Sequence, residues 1–125
     1  MRFISLVTAH EGAEQCAPPP PELMNAMGKM IEEQTKAGVL VELGGLMPSS
    51  KGARLQLSGG KVTVIDGPFA ETKELIGGYA IFQVQSKDEM IELGKSFLQL
   101  HADVLGPTYE LALEIRQMSE LAASA

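Results

Sequence analysis

The segment from Ala53 to Asp66 constrains the fold of this chain most, because apolar and polar side chains alternate there on both sides of Gly59-Gly60. Alternation with a period of two is typical of β-strands, and a two-residue glycine loop is typical of a β-hairpin. The predicted register makes these pairs: Ser58 with Lys61, Leu57 with Val62, and Leu55 with Val64. One face of the hairpin is then apolar, and the other carries Arg54, Gln56 and Thr63.

Asp66 ends this alternation and has the same parity as Val62 and Val64. If the strand persists that far, the carboxylate faces the apolar side, where an unpaired charge is costly. We therefore expect the Asp66 carboxylate to have a partner, a turn amide, or a place in a cleft.

Two amphipathic helices are predicted. The first begins at Pro21, which suits the first helical position, and Gly38 can end it. Its apolar face contains Leu23, Met27, Met30 and Ile31. The second begins at a capping box of Ser86 and Glu89 and stops before Gly106-Pro107. Its predicted buried stripe contains Met90, Gly94, Phe97, Leu98 and His101.

Four more segments have the composition of strands. They cover Arg2 to Ala9, Val39 to Leu46, Gly77 to Gln85 and Glu110 to Arg116. The predicted order is an α+β, ferredoxin-like βαββαβ frame with an inserted β-hairpin, in a single domain over residues 1–125. Two helices cover one face of such a sheet, whereas Tyr79 to Val84 is apolar on both parities. A second subunit on the other face, and hence a homodimer, is the simplest expectation.

Composition narrows the classes of partner. The net charge is −6 and the basic residues are scattered, which disfavours nucleic acid. The apolar stretches are too short to span a membrane, and one cysteine with no secretory signal favours the cytoplasm. Neither a metal-ligand spacing nor a nucleotide-binding motif occurs, so we expect no metal and no cofactor.

Residues Asp66-Gly67-Pro68-Phe69, their continuation to Leu75, and Gly77-Gly78-Tyr79 resemble the signature of the YCII-related (DGPF) family. Further agreement lies at Pro21 to Met24 and at Phe97 to His101. The resemblance implies a dimeric α+β barrel in which two ferredoxin-like subunits pack sheet to sheet. It also implies two kinds of role: acid–base chemistry on small organic molecules through an Asp/His pair, or association with extracytoplasmic-function sigma factors.

Asp66 and His101 are the candidate catalytic residues. An acid at the end of an apolar-facing strand is a candidate general base, and a histidine at a helix end is a candidate proton shuttle. Each has a structural alternative, because Asp-Gly-Pro is also good turn chemistry and His101 also fits the edge of a core. The enzyme-type relatives carry their histidine on the first helix, and Glu22 to Ala37 contains none.

Candidate ligand-binding residues surround the signature. Arg54 is a candidate carboxylate clamp, and Glu71 and Lys73 are candidates for polar contacts, the alternative being a solvated charged loop. Pro68, Phe69 and Tyr79 complete this set. The leading functional hypothesis is a dimeric protein that binds a small molecule in a cleft near Asp66, with Asp66 either as an acid–base catalyst or as the anchor of the ligand. The alternative is a non-catalytic regulatory or ligand-sensing module linked to transcription.

Overall fold

A computed structural model describes residues 1–8, 19–69 and 76–119. The described residues form six strands and two α-helices, with a short 3-10 helix at Ser49–Lys51. The strands are β1 (Arg2–Thr8), β2 (Leu40–Gly45), β3 (Ala53–Ser58), β4 (Lys61–Asp66), β5 (Ile76–Gln83) and β6 (Ala112–Gln117). The helices are α1 (Pro21–Lys36) and α2 (Lys87–Leu105). The fold is mixed α+β, as predicted.

Four strands form one antiparallel sheet in the order β2-β5-β1-β6. With one helix after β1 and the other after β5, this arrangement is consistent with the ferredoxin-like fold predicted from the element order. Strands β3 and β4 form a separate two-stranded sheet between β2 and β5 in the chain. The predicted inserted hairpin is therefore confirmed.

The hairpin register also agrees with the prediction. Ser58 pairs with Lys61, Leu57 with Val62, and Leu55 with Val64. Gly59 and Gly60 have φ angles of 58° and 77°. Residues that carry a side chain rarely adopt such positive φ angles, so two glycines suit this turn. Asp66 pairs with Ala53 at the open end of the hairpin, where its side chain is exposed.

The helix ends follow the signals in the sequence. Pro21 is the first residue of α1, and Gly38 lies just beyond its end with φ 74°. The Ser86 side chain caps α2 by accepting a hydrogen bond from the Glu89 amide at 3.1 Å. Within the described ranges, no helix combines the length and the apolar character needed to cross a membrane.

The sheet presents three rows of side chains to the helices. The first row is Leu40, Phe82, Phe3 and Gln117. The second row is Leu43, Ala80, Ser5 and Ile115. The third row is Gly45, Gly78, Val7 and Leu113. The buried core, formed by Phe3, Leu40, Phe82, Val84 and Met90, lies at the first-row end of the sheet.

Candidate functional site

A cavity of about 570 Å³ lies between the four-stranded sheet and the two helices. All three rows contribute to its sheet side, and α1 and α2 form the opposite wall. Natural pockets for small molecules have volumes of roughly 300–1,000 Å³, so this space is large enough for an organic ligand.

Small residues create the cavity. The first row contains two phenylalanines, but the second row has Ser5 and Ala80 at its centre, and the third has Gly45 and Gly78. A Cβ added at Gly45 would meet no atom within 4 Å. The core is filled at the first-row end, and the smaller side chains of the next two rows leave the space of the cavity.

The mouth of the cavity is at the third-row end. Most of the exposed lining residues of the sheet lie there, namely Gly45, Leu46 and Gly77, whereas the exposed Leu43 lies in the second row. Leu46 donates a backbone hydrogen bond of 3.0 Å to the Gly77 carbonyl, which fixes the edge of this opening. The buried lining residues Ser5, Phe82 and Met90 lie deeper, toward the core.

The chemistry of the lining is almost entirely apolar. Among the described residues that line the cavity, none is Asp, Glu, Lys, Arg or His. The polar side chains that face this space are those of Ser5 and Gln34. Met27 and Met30 from α1 and Met90 from α2 supply flexible, polarisable side chains, which adapt well to differently shaped ligands.

Tyr79 is the predicted site residue in the cavity lining, but its side chain lies on the sheet face away from the helices, as that of Ile81 does. Its ring lies against Gly44, where an added Cβ would come within 2.7 Å of Tyr79 Cε1. Its hydroxyl donates a hydrogen bond of 2.7 Å to Glu42 Oε2. This hydrogen bond raises the pKa of Tyr79 above its ordinary value, and burial and the Glu42 charge add to the increase.

The DGPF segment packs against the 3-10 turn. The Gly67 amide donates to the Gly52 carbonyl at 3.0 Å, and the Phe69 amide donates to Ser49 Oγ at 3.0 Å. Gly67 lies directly on the Ser49 carbonyl, where an added Cβ would overlap with that oxygen. The Gly67-Pro68 peptide bond is cis. The segment therefore fastens the base of the hairpin to the turn that follows β2.

Arg54 and Phe69, two predicted ligand-binding residues, contact each other. The Arg54 guanidinium carbon lies 4.3 Å from the centre of the Phe69 ring, within the range of a cation–π interaction. Pro68 lies beside them at the base of the hairpin and is exposed. Glu71 and Lys73 lie outside the described residues.

His101 is buried in α2, with 6% of its surface exposed. Its Nδ1 lies 2.8 Å from the Phe97 carbonyl oxygen, which can only accept, so Nδ1 is the donor of this hydrogen bond. The ring also contacts Phe97 and stacks on Tyr109 at centroid distances of 4.5 and 6.2 Å. His101 thus packs within the helical layer, whereas Asp66 lies on the separate hairpin sheet.

Metal-binding geometry is not found in the described part of the chain, where no three His, Cys, Asp or Glu side chains form a group able to hold an ion.

The sequence profile of the YCII-related domain matches residues 1–99. The chain belongs to the YCII-related family. An uncharacterized protein of Rhizobium meliloti (strain 1021) is 33% identical over 73 residues, which cover 58% of this chain. The same match spans 59% of that relative's length.

In this YCII-related chain, sequence reasoning missed most of the cavity. Ser5, Gly45, Gly78 and Ala80 were not among the predicted site residues, although all four line the cavity. The signal that could have found them is the small size of inward-facing residues at one end of three adjacent strands. That signal becomes visible only when the strand order and register are known, because the rows combine residues far apart in the sequence.

We predict that Gly67→Ala destabilises the protein by about 1–3 kcal/mol, as overpacking of a filled site commonly does. The added methyl group would overlap with the Ser49 carbonyl. Gly52→Ala is the matched control, since its Cβ would lie 3.6 Å from the same oxygen in extended backbone. Chemical denaturation of the two variants checks this, and equal free energies of unfolding would contradict it.

We also predict that Tyr79 titrates above the usual phenol pKa of about 10 because of Glu42. Burial raises the pKa of Tyr109 too, so the near-ultraviolet titration is made in a Tyr109→Phe background. Glu42→Gln should return the midpoint toward about 10, whereas Glu22→Gln should leave it unchanged. Because the folded-state pKa is raised, the stabilisation is present below pH of about 10 and is lost as pH rises through the folded-state pKa.

Proposed function

We propose that this YCII-related protein is a homodimer that binds a small, predominantly apolar organic molecule between its sheet and helices. The observation that carries the proposal is the cavity of about 570 Å³, whose described lining includes no charged side chain. Protein interiors are normally packed with few voids larger than a water molecule. A large apolar space with an open mouth is therefore best explained as a binding site.

The walls of the cavity support this proposal because they belong to regular elements. Its sheet side is fixed by the antiparallel pairing of β2, β5 and β1, which holds the second and third rows in register. The helix side includes three methionines, which adjust to a ligand by changing rotamer. Such a site combines a rigid sheet side with an adaptable helix side.

Binding in this cavity is compatible with both hypotheses drawn from the sequence, an enzyme and a ligand-sensing module. Acid–base chemistry by Asp66 and His101 remains a prediction from the sequence, as does a link to transcription. Neither residue is among the described lining of the cavity. We therefore place ligand binding first.

The test uses methyl-¹³C methionine NMR with 2-methylnaphthalene as an apolar probe. Met27, Met30 and Met90 line the cavity, whereas Met1, Met24, Met47 and Met118 do not and serve as internal controls. We expect the methyl signals of the first three to shift on titration and the other four to stay in place. Absence of shifts in the first three at saturating probe would contradict the proposal.

Gly45→Leu provides a variant in which the cavity is filled from its mouth. The added side chain enters open space, so the protein should fold and lose probe binding. Gly28→Leu is the matched control, because a Cβ at Gly28 also meets nothing within 4 Å and Gly28 is exposed outside the cavity. It should bind the probe like the unmodified protein.

The homodimer is supported by the apolar face of the hairpin. Leu55, Leu57, Val62 and Val64 are 62–74% exposed, although they form one continuous face. An isolated two-stranded hairpin is at best marginally stable in water, and contiguous apolar surface usually marks an interface. The sheet face away from the helices adds Ile4, Leu6 and Ile81 to the apolar surface that a second subunit would cover.

We predict that the protein sediments at micromolar concentration with twice the 13.4 kDa mass of the chain. Leu57→Glu should shift the mass toward the monomer, because it places a charge in the apolar face of the hairpin. Gln56→Glu adds the same charge to the opposite face of the same strand and should leave the dimer intact. A wild-type mass of 13.4 kDa would contradict the homodimer.

A further inference from the structure

We propose that the cavity selects uncharged molecules that carry a hydroxyl group, and that Ser5 accepts a hydrogen bond from this group. The inference rests on the proposed function and specifies the chemical class of the ligand. It is carried by Ser5, a buried polar side chain on the sheet side of an apolar cavity.

Ser5 interrupts an otherwise apolar strand surface. On β1 the residues that face the helices are Phe3, Ser5 and Val7. Ser5 is 6% exposed as a residue, so it lies almost entirely within the protein. Burying a hydroxyl in apolar surroundings is costly unless the group forms good hydrogen bonds.

The hydrogen bond that Ser5 makes within the protein is long. Its Oγ lies 3.5 Å from the Ala80 carbonyl, whereas hydroxyl hydrogen bonds are commonly about 2.5–3.0 Å. A serine hydroxyl has one hydrogen to donate and two lone pairs that accept. Ser5 can therefore continue to donate to Ala80 while it accepts from a ligand hydroxyl.

The neighbouring residues give the ligand access to this oxygen. Ala80, directly opposite Ser5, has a single methyl group, and both residues line the cavity. A larger residue at Ala80 would occupy the space beside the serine hydroxyl. Because Ala80 is small, a ligand in the cavity can come within reach of the Ser5 hydroxyl.

The lining also disfavours a charged ligand. None of the described residues that line the cavity could neutralise a carboxylate, a phosphate or an ammonium group. Burial of an unpaired charge is far more costly than burial of a hydroxyl. The methionines and Phe82 and Phe97 instead provide favourable contacts for an aromatic ring.

Three naphthalene derivatives of similar shape test the inference: 2-naphthol, 2-methylnaphthalene and 2-naphthoate. Dissociation constants are measured from the Met27, Met30 and Met90 methyl shifts. The informative quantity is the Kd of the methyl compound divided by the Kd of the hydroxyl compound. We expect Ser5→Ala to reduce this ratio by roughly 3- to 10-fold, as loss of one hydrogen bond implies. We also expect 2-naphthoate to bind weakest to the wild-type protein.

Ser96→Ala is the matched control, because Ser96 is exposed on α2 and outside the cavity lining. It should leave the ratio unchanged. If Ser5→Ala does not fold, judged by circular dichroism, Ser5→Cys replaces it and should lower the ratio in the same direction.

The possible outcomes separate the two proposals. If Ser5→Ala leaves the Kd ratio unchanged while the probes still shift the three methionine signals, the Ser5 contact is overturned and the proposed function stands. Binding of 2-naphthoate as tight as that of 2-naphthol would overturn the selection for uncharged ligands. If none of the three probes shifts the cavity methionines, both the proposed function and this inference fail.

Discussion

The decrease in side-chain size along the helix-facing side of the sheet is the constraint on which the candidate site depends. Phe3 and Phe82 in the first row are the sheet's largest contributions to the core, and the helices pack on them. The following rows offer Ser5, Ala80 and Gly78 to the same helices. The cavity lies over these smaller residues, between the sheet and both helices. The core and the cavity are thus two results of one packing arrangement.

A second consequence of the fold is that the hairpin receives little cover from the rest of the described chain. Both helices lie on the opposite face of the larger sheet from Ile4 and Ile81, and the hairpin forms its own sheet. The protein therefore has two apolar surfaces that its own described side chains do not cover: the wall of the cavity and the exposed face of the hairpin. The cavity is enclosed by the sheet and helices and suits a small molecule, whereas the hairpin face is exposed and apolar and suits another protein surface.

Local patterns in the sequence predicted the elements well because each depends on nearby residues. The Gly59-Gly60 turn and the alternation beside it determine the hairpin register, and Ser86 with Glu89 marks the start of α2. The element order also predicted a ferredoxin-like frame. The cavity could not be read in this way, since Ser5 and Ala80 become neighbours only through the pairing of β1 with β5. Arg54 and Phe69 were both predicted to bind a ligand, but a cation–π contact between them required the three-dimensional arrangement.

The residues from Asp66 to Phe69 and those that line the cavity have different structural tasks. The Gly67 amide bonds to the Gly52 carbonyl and the Phe69 amide to Ser49 Oγ, and none of the residues from Asp66 to Phe69 is in the described lining. Ser49 follows the cavity mouth by only a few residues, after Leu46 has bonded to Gly77. The short connection from Leu46 to Ser49 therefore joins the mouth of the cavity to the base of the hairpin. The DGPF residues hold the base of the hairpin, and this connection joins that base to one edge of the cavity mouth. The hairpin and the cavity are thus physically linked, although the DGPF residues lie outside the described lining.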